Sequence, residues 1–275
     1  MLFAVMFAVA LAQAPAPATP IWSVTEGIDT PESAYFDADS GFLFSSQIVG
    51  NASAHDGNGR IVKLTLDGNV VDANWATGLD APKGLRAYRG TLFVADIDTV
   101  VGFDIKTGRE TSRVKIAGAK FLNDLATGSD GAIYTTDSFA NCVWTIRGGV
   151  VSLFSDAPQL QLPNGILVED TRVLVATDGM PASLLAFDLK TKAVTLIAAG
   201  TFGTPDGLES DGRGGFIISD VARGGLYHVT ADGASRQLLQ LDRQPADIAY
   251  IPGRKLLIAP HTGLNRLSAY QLTLE

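Results

Sequence analysis

Residues 162–170 read LPNGILVED, and the pattern returns along the chain. Alone, Pro163, Asn164 and Gly165 ahead of an apolar run would mark a turn before a strand, because Asn tolerates unusual backbone angles and caps its own chain. Similar stretches begin at Thr30 (TPESAYFDADSGFLFSSQ), Ala81 (APKGLRAYRGTLFVAD), Phe121 (FLNDLATGSDGAIYTTD), Thr204 (TPDGLESDGRGGFIISD) and Gln244 (QPADIAYIPGRKLLIAPH). The residue two places into each copy is Glu32, Lys83, Asn123, Asn164, Asp206 and Ala246, at spacings of 51, 40, 41, 42 and 40 residues. A period near 40 made of short strands predicts an all-β, six-bladed β-propeller with four antiparallel strands per blade.

The fourth repeat parses into strands at 165–169, 172–177, 184–189 and 193–199. They are short, often β-branched and apolar on at least alternate positions, with turn signals between them. No segment carries a long helical period, so almost no helix is expected. The sixth repeat has strands at 247–250, 255–259 and 266–272, and then the chain ends. A strand at 21–24 is expected to supply the missing fourth, closing the ring and removing an exposed sheet edge.

Residues 2–11 are apolar, too few to span a bilayer as a helix, and Ala10-Leu11-Ala12 has the small-x-small form of a signal-peptidase site. The expected organisation is a signal peptide over 1–12, an Ala/Pro-rich linker over 13–20 and one propeller domain over 21–275, exported to the periplasm or secreted. After signal removal no membrane association is expected, and the protein is expected to be a monomer. The net charge of −8 speaks against a nucleic-acid surface. The single cysteine, Cys142, permits no internal disulfide and reads as a buried hydrophobe. The chain lacks a G-x-S-x-G elbow, a P-loop and an H-E-x-x-H helix, so those chemistries have no support.

In a propeller the innermost strand of each blade lines a central tunnel, so the six equivalent residues converge near the axis. Four of them carry side-chain oxygens: Glu32, Asn123, Asn164 and Asp206. A hard cation such as Ca²⁺ takes such ligands, whereas Zn²⁺ usually shows nitrogen or sulfur. The other reading is a polar, water-filled tunnel in which Asn and Asp only cap strands. A second ring falls at the ends of the second strands: Gln47, Asp96, Asp137, Asp178, Asp220 and His261. Its Asp residues read first as acceptors for backbone N–H groups in the turn that follows. His261 is either an acid or base on the active face or a hydrogen-bonded wall residue. His55 lies in a long first loop that can overhang the tunnel, and His228 reads as structural.

The motifs PES, LND, PNG and PDG at this spacing resemble the family of senescence marker protein (regucalcin), gluconolactonase and luciferin-regenerating enzyme, whose arrangement diisopropylfluorophosphatase shares. The resemblance spans about residues 22–272. It implies a six-bladed propeller with a catalytic divalent metal, commonly Ca²⁺, in the tunnel, Mg²⁺, Mn²⁺ or Zn²⁺ being the other candidates. It assigns metal ligation to Glu32, Asn164 and Asp206, metal or substrate binding to Asn123, and the role of base or nucleophile to Asp206.

Two positions depart from that pattern. Lys83 puts a cation in the ring, where it either opposes the metal, pairs with Glu32, points outward or receives an anionic substrate. Ala246 is inert, but Asp247 after it and Asp124 after Asn123 are candidates to reach substrate at the mouth. The expected function is an exported, metal-dependent hydrolase of the gluconolactonase type acting on a small lactone or ester in the tunnel, with Asp206 or His261 activating water. The alternative is a non-catalytic propeller that binds a small ligand or a protein at its mouth.

Overall fold

Six antiparallel sheets of four strands each are arranged as blades around an axis in the computed structural model, which describes residues 18–274. The expected signal peptide (1–12) and residues 13–17 of the expected linker lie outside the described residues. Among the described residues the helical content is two 3-10 turns, Pro252–Arg254 and Thr262–Leu264. No helix there is long and apolar enough to cross a membrane.

Burial explains the strand composition. A second strand such as Ile133–Asp137 is buried along its whole length because both blade faces pack on neighbours. The outer strand Glu110–Lys115 alternates exposed and half-buried positions. The apolar clusters lie between adjacent blades. Phe44, Ile61 and Trp75 of the first blade meet Leu85, Leu92 and Val94 of the second. Phe216, Ile218 and Tyr227 of the fifth meet Leu174 and Leu184 of the fourth.

Closure follows the expected route. Trp22–Val24 pairs antiparallel with the last strand, Trp22 opposite Ala269 and Val24 opposite Leu267, and becomes the outer strand of the sixth blade. Trp22 Nε1 also donates to Leu66 O of the first blade at 3.1 Å, so the seam is tied on both sides. Several strand boundaries shift by one or two residues from the sequence reading, and the one that matters for the seam is the inner strand of blade six, Ala249–Ile251 rather than 247–250. Residue 247 bonds across the seam instead. Asp247 N donates to Glu32 O (2.9 Å), and its carbonyl accepts from Ala34 N (3.1 Å).

Candidate functional site

Each of the first five inner strands is irregular at its ring residue. In blade three Leu122 pairs with Asp137 and Leu125 with Thr135, so the inner strand carries one extra residue between them. The same extra residue occurs between Pro31 and Ser33, Pro82 and Leu85, Pro163 and Ile166, and Pro205 and Leu208. A β-bulge frees the backbone from the ladder and re-aims its side chain, here toward the axis. In three blades a hydroxyl of the second strand takes the released N–H: Ser46 Oγ from Ser33 N (2.9 Å), Thr136 Oγ1 from Asp124 N (3.0 Å) and Ser219 Oγ from Gly207 N (2.8 Å). The Gly of PNG and PDG has a separate cause. A Cβ on Gly165 would stand 2.1 Å from Asp206 O, and one on Gly207 2.4 Å from Ile248 N, because neighbouring inner strands nearly touch near the axis.

The second ring holds the segments that lead into these bulges. Asp137 accepts from Lys120 N (2.9 Å), Phe121 N (3.0 Å) and Ala140 N (3.1 Å). Asp220 accepts from Gly203 N (2.7 Å), Thr204 N (3.3 Å) and Arg223 N (3.0 Å), and Asp96 from Asp80 and Ala81. The expectation placed these bonds in the turn that follows. They reach that turn at Ala140 and Arg223, but most run back to the segment ahead of the inner strand, which lies alongside because the two strands are antiparallel. Backbone strain sits in the same place. Thr30, Leu162 and Gln244, each before a proline, have φ of 51°, 47° and 57°, a region disfavoured for non-Gly and pre-proline residues.

Glu32, Lys83, Asn123 and Asp206 line one cavity of about 250 Å³ at the mouth of the tunnel. Asn164 is not in its lining but borders Asp206, and its amide favours the ionised form of that carboxylate. Glu32 Oε2, Asn164 Oδ1 and Asp206 Oδ1 are buried without a hydrogen-bond partner. Buried polar atoms are nearly always paired, so three orphaned oxygens on residues of one ring point to a missing partner. Burial, then the carboxylates of Asp206 and Asp247, push Glu32 well above the usual carboxylate range, against the pull of Lys83. Burial and Asp247 do the same to Asp206. Among the described residues no three His, Cys, Asp or Glu side chains are placed to hold a metal, so a cation here has to use amide oxygens as well. The orphaned ring set, two carboxylates and one amide, with Asp247 Oδ1 orphaned next to it, suits a hard divalent ion of that kind. Hollows of about 420 and 630 Å³ lie among the outer strands, and neither gathers two carboxylates.

Other residues singled out in the sequence are placed elsewhere. Asp124 and Asp247 do not reach the mouth: they are 1% exposed and are not part of the cavity lining. Asp124 accepts from Leu125 N (2.7 Å) and Ile166 N (2.9 Å), and Asp247 from Ser33 Oγ. His261 is fully buried outside the cavity lining, its ring nitrogens against Tyr270 Oη (3.1 Å) and Arg243 O (3.3 Å). Burial lowers its pKa to about 4. It is a wall residue, with no open nitrogen to offer water. Lys83 makes no ion pair with Glu32. Its ammonium donates to Ala81 O (2.9 Å) and Ala52 O (3.1 Å) and sits 4.2 Å from the Phe121 ring centre, tying down the long first loop. His55 anchors that loop a second time, through Asp80 (2.8 Å). His228 pairs with Asp211 (2.8 Å) within blade five, and burial pushes the Cys142 thiol up to about 12.

The sequence reading missed a third ring. Three residues past each ring position stand Tyr35, Arg86, Ala126, Leu167, Glu209 and Ala249. Arg86 Nη2 lies 3.0 Å from Glu209 Oε1 toward the other ends of the inner strands, where both line a hollow of about 260 Å³, and burial raises Glu209 to about 7 despite that partner. Aligning the repeats one step further would have shown a charged pair at a position that is otherwise apolar or aromatic.

A family model described as the SMP-30/gluconolactonase/LRE-like region matches residues 31–262. No curated protein matches the chain. Among solved structures, a gluconolactonase from Xanthomonas campestris superposes with a TM-score of 0.71 at 18% identity, covering 95% of this chain and 99% of its own. A catalytically inactive virginiamycin B lyase from Staphylococcus aureus, solved with quinupristin, gives 0.66 at 12% identity, covering 92% and 98%. At such identities these likenesses speak for the fold.

Proposed function

This chain belongs to the SMP-30/gluconolactonase/LRE-like family, and from that premise we propose that it is a divalent-metal-dependent hydrolase of the lactonase type acting in the mouth cavity. The observation that carries the proposal is the set of orphaned buried oxygens on Glu32, Asn164 and Asp206. Those residues would hold the ion, Ca²⁺ by the chemistry of the donors, with Asn123 beside it or beside the substrate. When bound, the ion supplies a Lewis acid for the ester carbonyl and charge for the oxyanion.

The remaining work falls to the chain's own side chains. Asp206 is the base or nucleophile: it lines the cavity and keeps Oδ1 without a partner, and its burial makes it a stronger base than an exposed aspartate. Asn123 is oriented by donating Nδ2 to Ser138 Oγ (3.1 Å), and that hydroxyl donates to Pro163 O (2.6 Å). Asp137 and Asp220 fix the segments from which Asn123 and Asp206 project. Lys83 stays out of the ligand set because its ammonium is committed to two carbonyls. The apolar segment at 2–11 supports a place outside the cytoplasm, where the protein acts as a monomer on a small molecule; intact mass from the native host tests the export. The function is tested by metal analysis of the purified protein together with lactone hydrolysis before and after chelation. Hydrolysis that survives complete removal of metal overturns it.

A further inference from the structure

The polar groups of the mouth cavity are gathered at its floor, and its walls are apolar. Ile48, Ala52, Phe121 and Val221 line the cavity beside the ring residues Glu32, Asn123, Asp206 and the inert Ala246. The rim continues the same character. Phe139, 55% exposed, stacks on Phe121 at a centroid distance of 4.4 Å. Leu162 and Leu264, also exposed, belong to segments on the mouth face, where inner strands begin and second strands end.

The few polar wall groups are already engaged. Thr262 Oγ1 donates to Pro31 O (2.8 Å), and Lys83 donates to Ala52 O and Ala81 O. Among the described residues that line the wall, Gln244 alone keeps a side-chain amide without a hydrogen bond. Away from Gln244, a hydroxyl buried against these walls would lose its water and find no partner, which weakens binding. A methylene in the same place gains from leaving water.

We propose that this site prefers an apolar lactone or ester, a small ring bearing an alkyl or aryl substituent, over a polyhydroxylated sugar lactone. The ring carbonyl faces the polar floor, and the substituent lies along Val221 and Phe121 toward Phe139. The volume of about 250 Å³ limits the substituent to a short one, since drug-sized sites run to roughly 300–1,000 Å³. The nature of the scissile bond rests on the hydrolase reading above; the preference rests on the walls.

The test uses δ-lactams, which keep the ring and carbonyl of a δ-lactone but resist cleavage. Calorimetry on the full Ca²⁺-saturated protein should show affinity for 6-alkyl-δ-lactams rising about threefold to fourfold per methylene over the first few carbons. The polyhydroxylated δ-lactam of glucose should bind at least about tenfold more weakly than the best alkyl lactam, in keeping with several buried unpaired hydroxyls. Val221→Asn, and independently Phe139→Ser, should narrow that gap, with thermal melts confirming that both variants fold. A flat alkyl series, a tighter hydroxylated lactam or no alkyl-lactam binding overturns the proposal. Hydrolysis of the matching lactones is measured alongside. No turnover with the lactam ranking intact sinks the hydrolase reading alone; turnover with a flat ranking sinks the apolar preference alone.

Discussion

Asp206 and Asp220 stand at the same end of one strand pair in blade five, Asp206 next to the residue that pairs with Asp220. Both are buried aspartates near the mouth, yet their surroundings differ. Asp220 accepts three backbone N–H groups and is fully buried. Asp206 keeps one oxygen with no partner at all. The comparison separates two uses of one side chain. Where backbone donors surround a carboxylate it is a fastener; where they are withheld, it is held ready for a ligand from outside.

Replacing the two residues should break the protein in different ways. The largest effect is expected for Asp206→Ala: hydrolysis should fall on the order of a thousandfold or more, the range of a lost acid–base group. The melting temperature of the metal-free protein should stay level or rise, since a buried repulsion with Asp247 is gone. Asp220→Ala should do the reverse. It takes the acceptor from three part-buried N–H groups and should cost about 1–3 kcal/mol in urea unfolding, while the cation site keeps its ligands. If Asp206→Ala unfolds the protein and Asp220→Ala only silences it, the assignment of roles is inverted.

His261 extends the comparison to pH. Its native pKa is held near 4, below its ordinary 6.5, so the folded state resists protonation. Its contribution is therefore present above pH 6.5 and is lost as pH falls toward 4, up to roughly 3 kcal/mol. His261→Asn should flatten that limb of stability against pH in chemical denaturation, and an unchanged limb would show that other groups carry it. The smallest effect is expected at Lys83. Lys83→Met removes a positive charge whose field reaches Glu32, so divalent-cation affinity should rise several-fold. The first loop, freed at Ala52, should become easier to cleave by limited proteolysis.

The ring of blades was legible because a repeat near 40 residues shows itself by self-similarity, and the short sixth repeat announced the closing strand at Trp22–Val24. Glu32, Asn123, Asn164 and Asp206 could be grouped from sequence because equivalent positions in a closed ring must converge. What stayed hidden depends on contacts between blades. Lys83 meets Ala52 in an insertion with no counterpart in the other repeats, so its carbonyl partners left no periodic trace. His261 turns to Tyr270 because its own blade offers a hydroxyl at the right depth. Asp124 and Asp247 looked free beside the ring, but both are buried, Asp124 against Leu125 N and Ile166 N and Asp247 against Ser33 Oγ. The bulge that aims each ring residue is a matter of register, and register is set by the partner strand.

The most direct test of the central claim is calorimetric titration of Ca²⁺ into the metal-free protein and into Asp206→Ala, both shown to be folded. One ion per chain is expected for the wild type, and no measurable uptake for the variant, because Asp206 supplies one of the two carboxylates at the floor of the cavity. Equal affinity in the two proteins, or none in either, would contradict a cation held by Glu32, Asn164 and Asp206.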